Sequence, residues 1–585
     1  MLSVEEFRSF MHKMNVDAFM LRTKDEYLSE YSEGLKQLCG FTGSNGLLII
    51  TKNNKCPFFT DGRYITQAHS QLDQDIFQIY NTQEKDPCEW VKENSTSIST
   101  LGYYSQYFTI KDIRKYESIC KLAPFLIEKM NNHQKQEIVL YSIEYSGENS
   151  KDKCERVAKT MEGISEAALL TDPDSISWLL NLRNENAQYT PHVLSRAILY
   201  KNGNVDLFIQ NKEDSILKNS LDDHINAFDI GELESALHKL NLVMIDPSTT
   251  PMNIMNAIEN KKIVEKEDPC LLIKAIKNQT EIAGTVNAHI KDGIAVINFL
   301  HWLENNISNG ITELDAEQKI LDYRKEQNLF KRLSFPTISA FNENSAIIHY
   351  RANKYTNKVI KGRGLYLIDS GGQYLDGITD ITRTVAIGIP TNEQMTNYTI
   401  VLKAHIAIAS AVFPSGTTGG ELDILARAHL WRFRMDYMHG TGHGVGNYLS
   451  VHEGPQAISK GNKIELMSRM ILSNEPGYYI PNKYGIRIEN LMYVDKQENR
   501  PISKPICGEK FLEEVHASTT EYLDVFEEHS STSTTKLPLE IEFQKRYNDF
   551  LSFKQLTCIP YDRRLINVQM LTQGEIKWIN NYHQF

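Results

Sequence analysis

Five side chains able to ligate metal fall within one stretch, Gly364 to Glu489. Two are aspartates in or beside short apolar runs, Leu365-Tyr-Leu-Ile-Asp369 and Ile378-Thr-Asp380-Ile-Thr-Arg383. A histidine sits inside the glycine-rich run His439-Gly-Thr-Gly-His443-Gly-Val-Gly446. Two glutamates follow, in Asn474-Glu475-Pro476-Gly477 and Arg487-Ile488-Glu489-Asn490. Four carboxylates gathered in a core repel one another and titrate upward unless compensated. Two divalent cations cancel their charge, so Asp369, Asp380, His443, Glu475 and Glu489 read as one dinuclear metal site. Oxygen donors with one imidazole suit manganese(II) first, with cobalt or zinc allowed by the same ligand types.

The elements that must position these groups are short strands. The segment carrying both aspartates is broken at Ser370-Gly-Gly-Gln373 and at Asp376-Gly377, which predicts a hairpin returning Asp380 alongside Asp369. Asp380, Thr382 and Thr384 then share a strand face, with the hydroxyls behind the ligands. Pro476 biases Glu475 to an extended conformation. Arg487 and Glu489 alternate with Ile486 and Ile488 and point off one face. The run His439 to Gly446 has no following lysine, which excludes a phosphate loop.

Upstream, Val4, Phe7, Phe10, Met11 and Met14 keep helical spacing before the apolar run Ala18 to Leu21, and Cys154, Val157 and Met161 precede Ala167 to Leu170 in the same way. Each pair leads to an acidic turn, Asp25-Glu26 or Asp172-Pro-Asp174. Two tandem α/β units would place borders near Ile143 and Ile273, although coincidental α/β patterning gives the same repeat and the pattern alone does not decide between them. Beyond Lys274, the residues Ile282, Val286, Ile290, Ile294 and Ile297 predict a helix buried along that stripe, capped near Thr280. A second helix is expected from Thr312, with Asp315 closing a capping box. The polar run Ser530-Ser-Thr-Ser-Thr-Thr535 is expected to be a flexible loop, and Trp578-Ile-Asn-Asn-Tyr582 a packing or dimer element.

A chain of 585 residues exceeds what one core accommodates; about 150 residues per domain allows about four, and three are expected. Hydrophobic content of 41% is that of a globular protein, and a formal charge of -11 argues against a nucleic-acid surface. The eight scattered cysteines read as free thiols in a reducing compartment. No secretory signal or bilayer-spanning run stands out, so a cytoplasmic location is expected, with neither membrane nor nucleic acid as partner.

The order Asp, Asp, His, Glu, Glu in these contexts resembles the pita-bread metallopeptidases, and within them the long, three-domain Xaa-Pro aminopeptidases. The resemblance extends to Phe335-Pro-Thr-Ile-Ser339, Ala346-Ile-Ile-His349-Tyr350, Val451-His452-Glu-Gly-Pro455, Phe41-Thr-Gly-Ser44 and Thr60-Asp-Gly-Arg63-Tyr64. It implies a mixed α/β (α+β) chain: two creatinase-like amino-terminal α/β domains at 1–143 and 144–272, then a pita-bread catalytic domain with a carboxy-terminal extension at 273–585. It implies removal of the first residue from peptides with proline second, by a hydroxide held between two metals. Asp369 would be a terminal ligand of one ion, His443 and Glu475 would serve the other, and Asp380 and Glu489 would bridge. Glu475 would accept the proton of the nucleophilic water. His349 and His452 would contact substrate on the proline side and at the scissile carbonyl, with His439 on the rim and Arg487 also toward substrate. Arg63, presented by an Asp-Gly turn, would grip residues beyond the proline; on composition alone it is a surface arginine paired with Asp61 or Glu84. A homodimer is implied as well. One departure stands out: Arg469 replaces the glycine usual before the methionine at position 470, so an adjusted turn is expected. The alternatives are a prolidase-type dipeptidase or an inactive peptide-binding member of the same fold.

Overall fold

The computed structural model describes residues 3–27, 29, 32, 34–127, 135–210, 221–258, 262–497 and 549–584. The expected serine and threonine loop at 530–535, and Cys507, lie outside these residues. Two six-stranded mixed sheets come first. One orders its strands 77–81, 56–60, 47–51, 18–22, 100–104 and 121–125; the other orders them 225–229, 205–209, 195–200, 167–170, 242–245 and 262–265. In each, the helix with the expected apolar spacing packs on the sheet it precedes: Val4, Phe7 and Met11 are buried from Val4–Met14, and Cys154 and Val157 from Ser150–Lys159. The acidic turn of the second unit is a helix cap, Asp172 accepting from the amides of Asp174 and Ser175.

The catalytic part wraps long helices around short antiparallel strands. The central strand Gly364–Ser370 is buried throughout and pairs with Ile338–Phe341 on one side and Ile381–Ile387 on the other, Asp369 lying opposite Thr382. The chain between them turns through a second ladder, Gln373 with Ile378, which is the expected hairpin. A four-stranded sheet follows, built from 412–414, 550–555, 490–496 and 471–474. The carboxy-terminal helix Gln573–Tyr582 packs Ile579 and Tyr582 into the core beside Tyr398 and Tyr561.

The long helix Gln279–Asn306 departs from expectation. Its cap is Asn278 in a capping box with Glu281, not Thr280, and Val286, Ile290, Ile294 and Ile297 are exposed. The buried face carries Thr285, Ala288, His289, Asp292 and Ala295 before it becomes apolar at Val296 and Phe299. Small and polar residues are required there because the helix lies flush on the hairpin and hides an ion pair, Asp292 with Arg324, joined by the Tyr374 hydroxyl. The second helix, Glu313–Lys325, begins at the expected Thr312 and Asp315 capping box.

The turn at Arg469 is not adjusted; Arg469 itself takes φ +73°. Its amide donates to Val494 and its carbonyl accepts from Lys277, so two elements hold the conformation. Left-handed backbone costs a side-chain-bearing residue roughly 1–2 kcal/mol, offset by the extra freedom glycine has when unfolded. Arg469→Gly is therefore expected to stabilise the protein by about 0.5–1 kcal/mol. Urea unfolding with an unchanged slope and a raised midpoint checks this; a lowered midpoint overturns it.

Candidate metal centre and active site

All four acids lie at or near strand ends, where side chains converge. Asp369 is the penultimate residue of its strand, and Asp380 directly precedes Ile381–Ile387. Glu475 follows Ile471–Asn474, and its amide donates to Thr441 at 2.7 Å. Glu489 fills the gap between Tyr484–Arg487 and Asn490–Lys496, its amide donating to Thr382 at 3.2 Å. The glycine run lies flat across this floor. A Cβ on Gly442 would meet the Ser473 carbonyl at 1.9 Å, so only glycine lets the neighbouring His443 approach the acids.

His443 Nε2 is 3.4 Å from Asp380, 3.6 Å from Glu475 and 4.0 Å from Glu489. Asp380, His443 and Glu489 offer ligand atoms within 4.8 Å of one another. Asp369 and Glu475 complete the cavity lining. Thr382 Oγ1 donates to Glu489 at 2.7 Å and accepts from Arg487 Nε, as expected of a hydroxyl behind the ligands. Thr384 instead bonds the backbone of Arg487. Ser473, which sequence reasoning missed, accepts from the His443 amide at 2.9 Å and donates to Glu475 at 3.2 Å, tying two ligands together.

The electrostatics call for cations. Burial, reinforced by Asp380, Glu475 and Asp369, holds Glu489 well above the usual carboxylate range. Burial likewise raises Asp369 to about 6, Arg487 opposing and Asp380 adding. Burial also raises Glu475. At His443 burial is outweighed by the Asp380 bond and the Glu475 charge, which lift it to about 9, so the apoprotein holds a proton where a cation would sit. Asp369 Oδ1 and Asp380 Oδ1 are buried and accept no hydrogen bond from the protein. Orphaned carboxylate oxygens, mutual repulsion and an oxygen-rich donor set fit divalent metal.

The surrounding residues fall into two groups. Arg487, expected toward substrate, is buried yet lines the cavity, with every side-chain nitrogen engaged: Nη2 to Asp369 at 2.6 Å, Nη1 to Tyr479 at 2.8 Å and Nε to Thr382. His439, expected on the rim, lines the same cavity. Its side chain is 6% exposed, Nε2 meets the Tyr479 hydroxyl at 2.9 Å, and burial followed by Arg487 lowers its pKa to about 3. Tyr479 thus orients both, a role its place in Glu475-Pro-Gly-Tyr-Tyr479 did not reveal.

His349, Arg63 and His452 all line the cavity, whose volume is about 300 Å³. His349 Nδ1 meets the Tyr64 hydroxyl at 2.5 Å, and Tyr64 in turn bonds Ser44. Burial, then Arg63 and Arg487, depress His349 strongly, which keeps it neutral. Arg63 combines both readings made of it: it pairs with Asp61 at 2.8 Å and lines the cavity. A Cβ on Gly62 would meet Met438 at 2.4 Å, so the first domain closes tightly onto the segment leading to His439. Apolar walls come from Phe335, Pro336, Ile338 and Ile348.

The ring of His452 stands 4.4 Å from that of His443 at 80°. Its loop is held from outside: Arg183 donates to the carbonyls of Tyr448 and Asn447, Asp174 accepts from the Ser450 amide, and Lys277 pairs with the buried Glu453 at 2.5 Å. No helix among the described residues is long and apolar enough to cross a membrane, and all seven described cysteines are free.

Comparison with known proteins agrees with this architecture. Residues 285–496 match metallopeptidase family M24, 549–585 its C-terminal region, and 4–128 and 129–281 two creatinase/prolidase N-terminal domains. Xaa-Pro aminopeptidase 1 of Dictyostelium discoideum is 34% identical over 99% of this chain and 91% of its own length. A probable Xaa-Pro aminopeptidase P of Talaromyces marneffei is 32% identical over 99% and 87%. The crystal structure of an X-prolyl aminopeptidase from Caenorhabditis elegans, described as a cytosolic enzyme with a di-nuclear active site, superposes with a TM-score of 0.83 at 28% identity, covering 99% of this chain and 94% of its own. The prolidase of Pyrococcus horikoshii covers 58% of this chain, with a TM-score of 0.50 at 26% identity. With the site, the hairpin and both amino-terminal sheets accounted for along its length, the chain belongs to metallopeptidase family M24, in its Xaa-Pro aminopeptidase group.

Proposed function

We propose that this enzyme removes the amino-terminal residue from peptides with proline in second position, using two divalent ions held by Asp369, Asp380, His443, Glu475 and Glu489. The observation that carries the reading is one cavity lined by Asp369, Asp380, His443, Glu475 and Glu489 together with Ser44, Arg63 and Tyr64 of the first domain, in a chain matched over 99% of its length by an Xaa-Pro aminopeptidase. Once bound, the ions cancel the carboxylate charge and supply Lewis-acid activation of water and carbonyl. Asp380 and Glu489 would be shared between the ions, Asp369 would serve one and the His443–Glu475 pair the other, and Glu475 would take the proton from the nucleophilic water. Arg487 fixes the Asp369 carboxylate.

Ser44, Tyr64 and His349 form a relay in which the tyrosine donates to Nδ1. A neutral His349 then carries its proton on Nε2 and offers it to a substrate carbonyl on the proline side. His452 stabilises the oxyanion at the scissile carbonyl. Proline has no amide N–H and a fixed ring, and the walls at Phe335, Pro336 and Ile348 accept that ring by shape. His439, held by Tyr479, completes the wall on the substrate side.

Three further assignments belong to this reading: manganese(II) as the resident ion, a cytoplasmic homodimer, and domain borders at 143 and 272. The oxygen-rich donor set favours manganese. Exposed Ile290, Ile294 and Ile297 favour a covered helix face.

Assaying Arg-Pro-Pro against Gly-Pro, with and without manganese, tests the function. Cleavage of the tripeptide only with metal is expected; cleavage of the dipeptide alone identifies a prolidase-type enzyme, and binding without turnover an inactive module. Arg63→Ala is expected to raise the Michaelis constant of tripeptides and longer substrates by about threefold to tenfold while metal content and fold persist. A constant unchanged at every length leaves Arg63 as the ion-pair partner of Asp61 alone.

A further inference from the structure

Gly62 marks the point at which a first-domain turn presses on the catalytic part. A Cβ there would stand 2.4 Å from Met438 Cβ, 2.9 Å from its Cε and 3.1 Å from its Cγ. The outer atoms of Met438 can swing aside by a change of rotamer, whereas its Cβ is fixed to the backbone. Gly62 does not take left-handed backbone, so an alanine there meets a crowded neighbour and not a forbidden φ.

Neither flank yields locally. Met438 is pinned by the buried Arg427, whose Nη1 donates to the Tyr437 carbonyl at 2.9 Å and Nη2 to the His439 carbonyl at 2.8 Å, while its Nε pairs with buried Asp423. On the other side the turn is one unit. The Asp61 carboxylate accepts from the Arg63 amide, from Arg63 Nε and Nη2 and from Asn45, and the Tyr64 amide donates to the Asp61 carbonyl. The Tyr64 ring stays with the same domain, edge-on to Phe41 and flush over Gly43, where a Cβ would meet it at 2.7 Å. Whatever displaces Gly62 therefore carries Arg63 and Tyr64 along. The bond that crosses to the catalytic part, from the Tyr64 hydroxyl to His349 Nδ1 at 2.5 Å, takes up that displacement.

We propose that Gly62 is a positioning residue: seated without a side chain against Met438, it sets how closely the first domain closes and so places Tyr64 on His349 and Arg63 in the cavity, a role that rests on the aminopeptidase reading above and deepens it. Carbon atoms in contact ordinarily stand about 3.5–4.0 Å apart, so a side chain at position 62 backs the first domain off by roughly 1 Å. A displacement of that size takes the bond to His349 to the edge of hydrogen-bonding distance.

Kinetics of the manganese-loaded full-length enzyme on Arg-Pro-Pro test it. Gly62→Ala is expected to lower kcat/KM about tenfold, within what a 1 Å misplacement costs, with the loss carried by KM and the metal content unchanged. A second substitution separates closure from a damaged turn. Met438→Gly removes the blocking Cβ and should return the KM of Gly62→Ala to within about threefold of wild type, whereas Met438→Ala keeps that Cβ and should not. An unchanged KM in Gly62→Ala, a loss carried by kcat or by metal content, or equal KM values in the two double variants overturns the positioning role. Should Gly62→Ala alone not fold, the same two double variants decide by melting temperature: recovery with Met438→Gly only supports the contact, and equal melting overturns it. Absence of tripeptide cleavage by the loaded wild type overturns the aminopeptidase reading instead. Crystal structures then still read the closure: a Tyr64 hydroxyl to His349 distance lengthened by about 1 Å in Gly62→Ala and restored with Met438→Gly supports it, and an unchanged distance overturns it.

Discussion

Glu489→Ala is expected to strip both divalent ions from the enzyme and to lower turnover by about three orders of magnitude or more, with Asp380→Ala behaving alike. Both residues belong to the tight ligand cluster with His443, and on the bridging assignment proposed above each would touch two ions, so neither ion would keep its ligand set when one is lost. Metal analysis of the purified variants decides the point; two tightly held ions in either would end the bridging assignment. The same site sets a stability trade. Glu489 is raised well above its ordinary pKa by burial and by its acidic neighbours, so the apoprotein pays a penalty that is absent below the unfolded pKa and grows as pH rises through it. Glu489→Gln should therefore raise the melting temperature of the metal-free protein near pH 8 and leave it nearly unchanged near about pH 4. A melting temperature lowered at both values would show that the carboxylate is already compensated by the protein alone.

His452→Ala is expected to reduce kcat by about 10²- to 10³-fold, the loss seen when one donor to a developing oxyanion is removed, with metal content intact. The ring stands against His443 without belonging to the ligand cluster, which is why chemistry and metal binding separate here. Turnover within threefold of wild type would return His452 to a wall residue. The loop carrying it is anchored by Arg183, Asp174 and Lys277. The middle domain is thus part of what positions His452.

Much of the site is legible in the linear chain because its geometry is local. A two-residue strand period and a glycine turn suffice to bring Asp369 beside Asp380, and the register places Asp369 opposite Thr382 as that pattern requires. The capping box at Thr312 and Asp315 is a short-range rule that the structure keeps, whereas the strand carrying Arg487 ends there and leaves Glu489 in the gap before the next, so the two do not share one strand face. Periodicity failed on the helix Gln279–Asn306 because the apolar stripe that should mark a core faces outward. The buried face instead needs small residues for close approach and Asp292 for Arg324, demands set by elements distant in sequence.

What the sequence by itself determined is the inventory: which groups can hold metal, in what order, on which strands, and with which family they align. What only the tertiary structure decided is how those groups are occupied. Arg487 clamps Asp369 and His439 bonds Tyr479 while both line the cavity, and Tyr64 crosses from the first domain to His349. The physical reason is that hydrogen-bond partners and burial depend on contacts between residues hundreds of positions apart, and no local period carries that information.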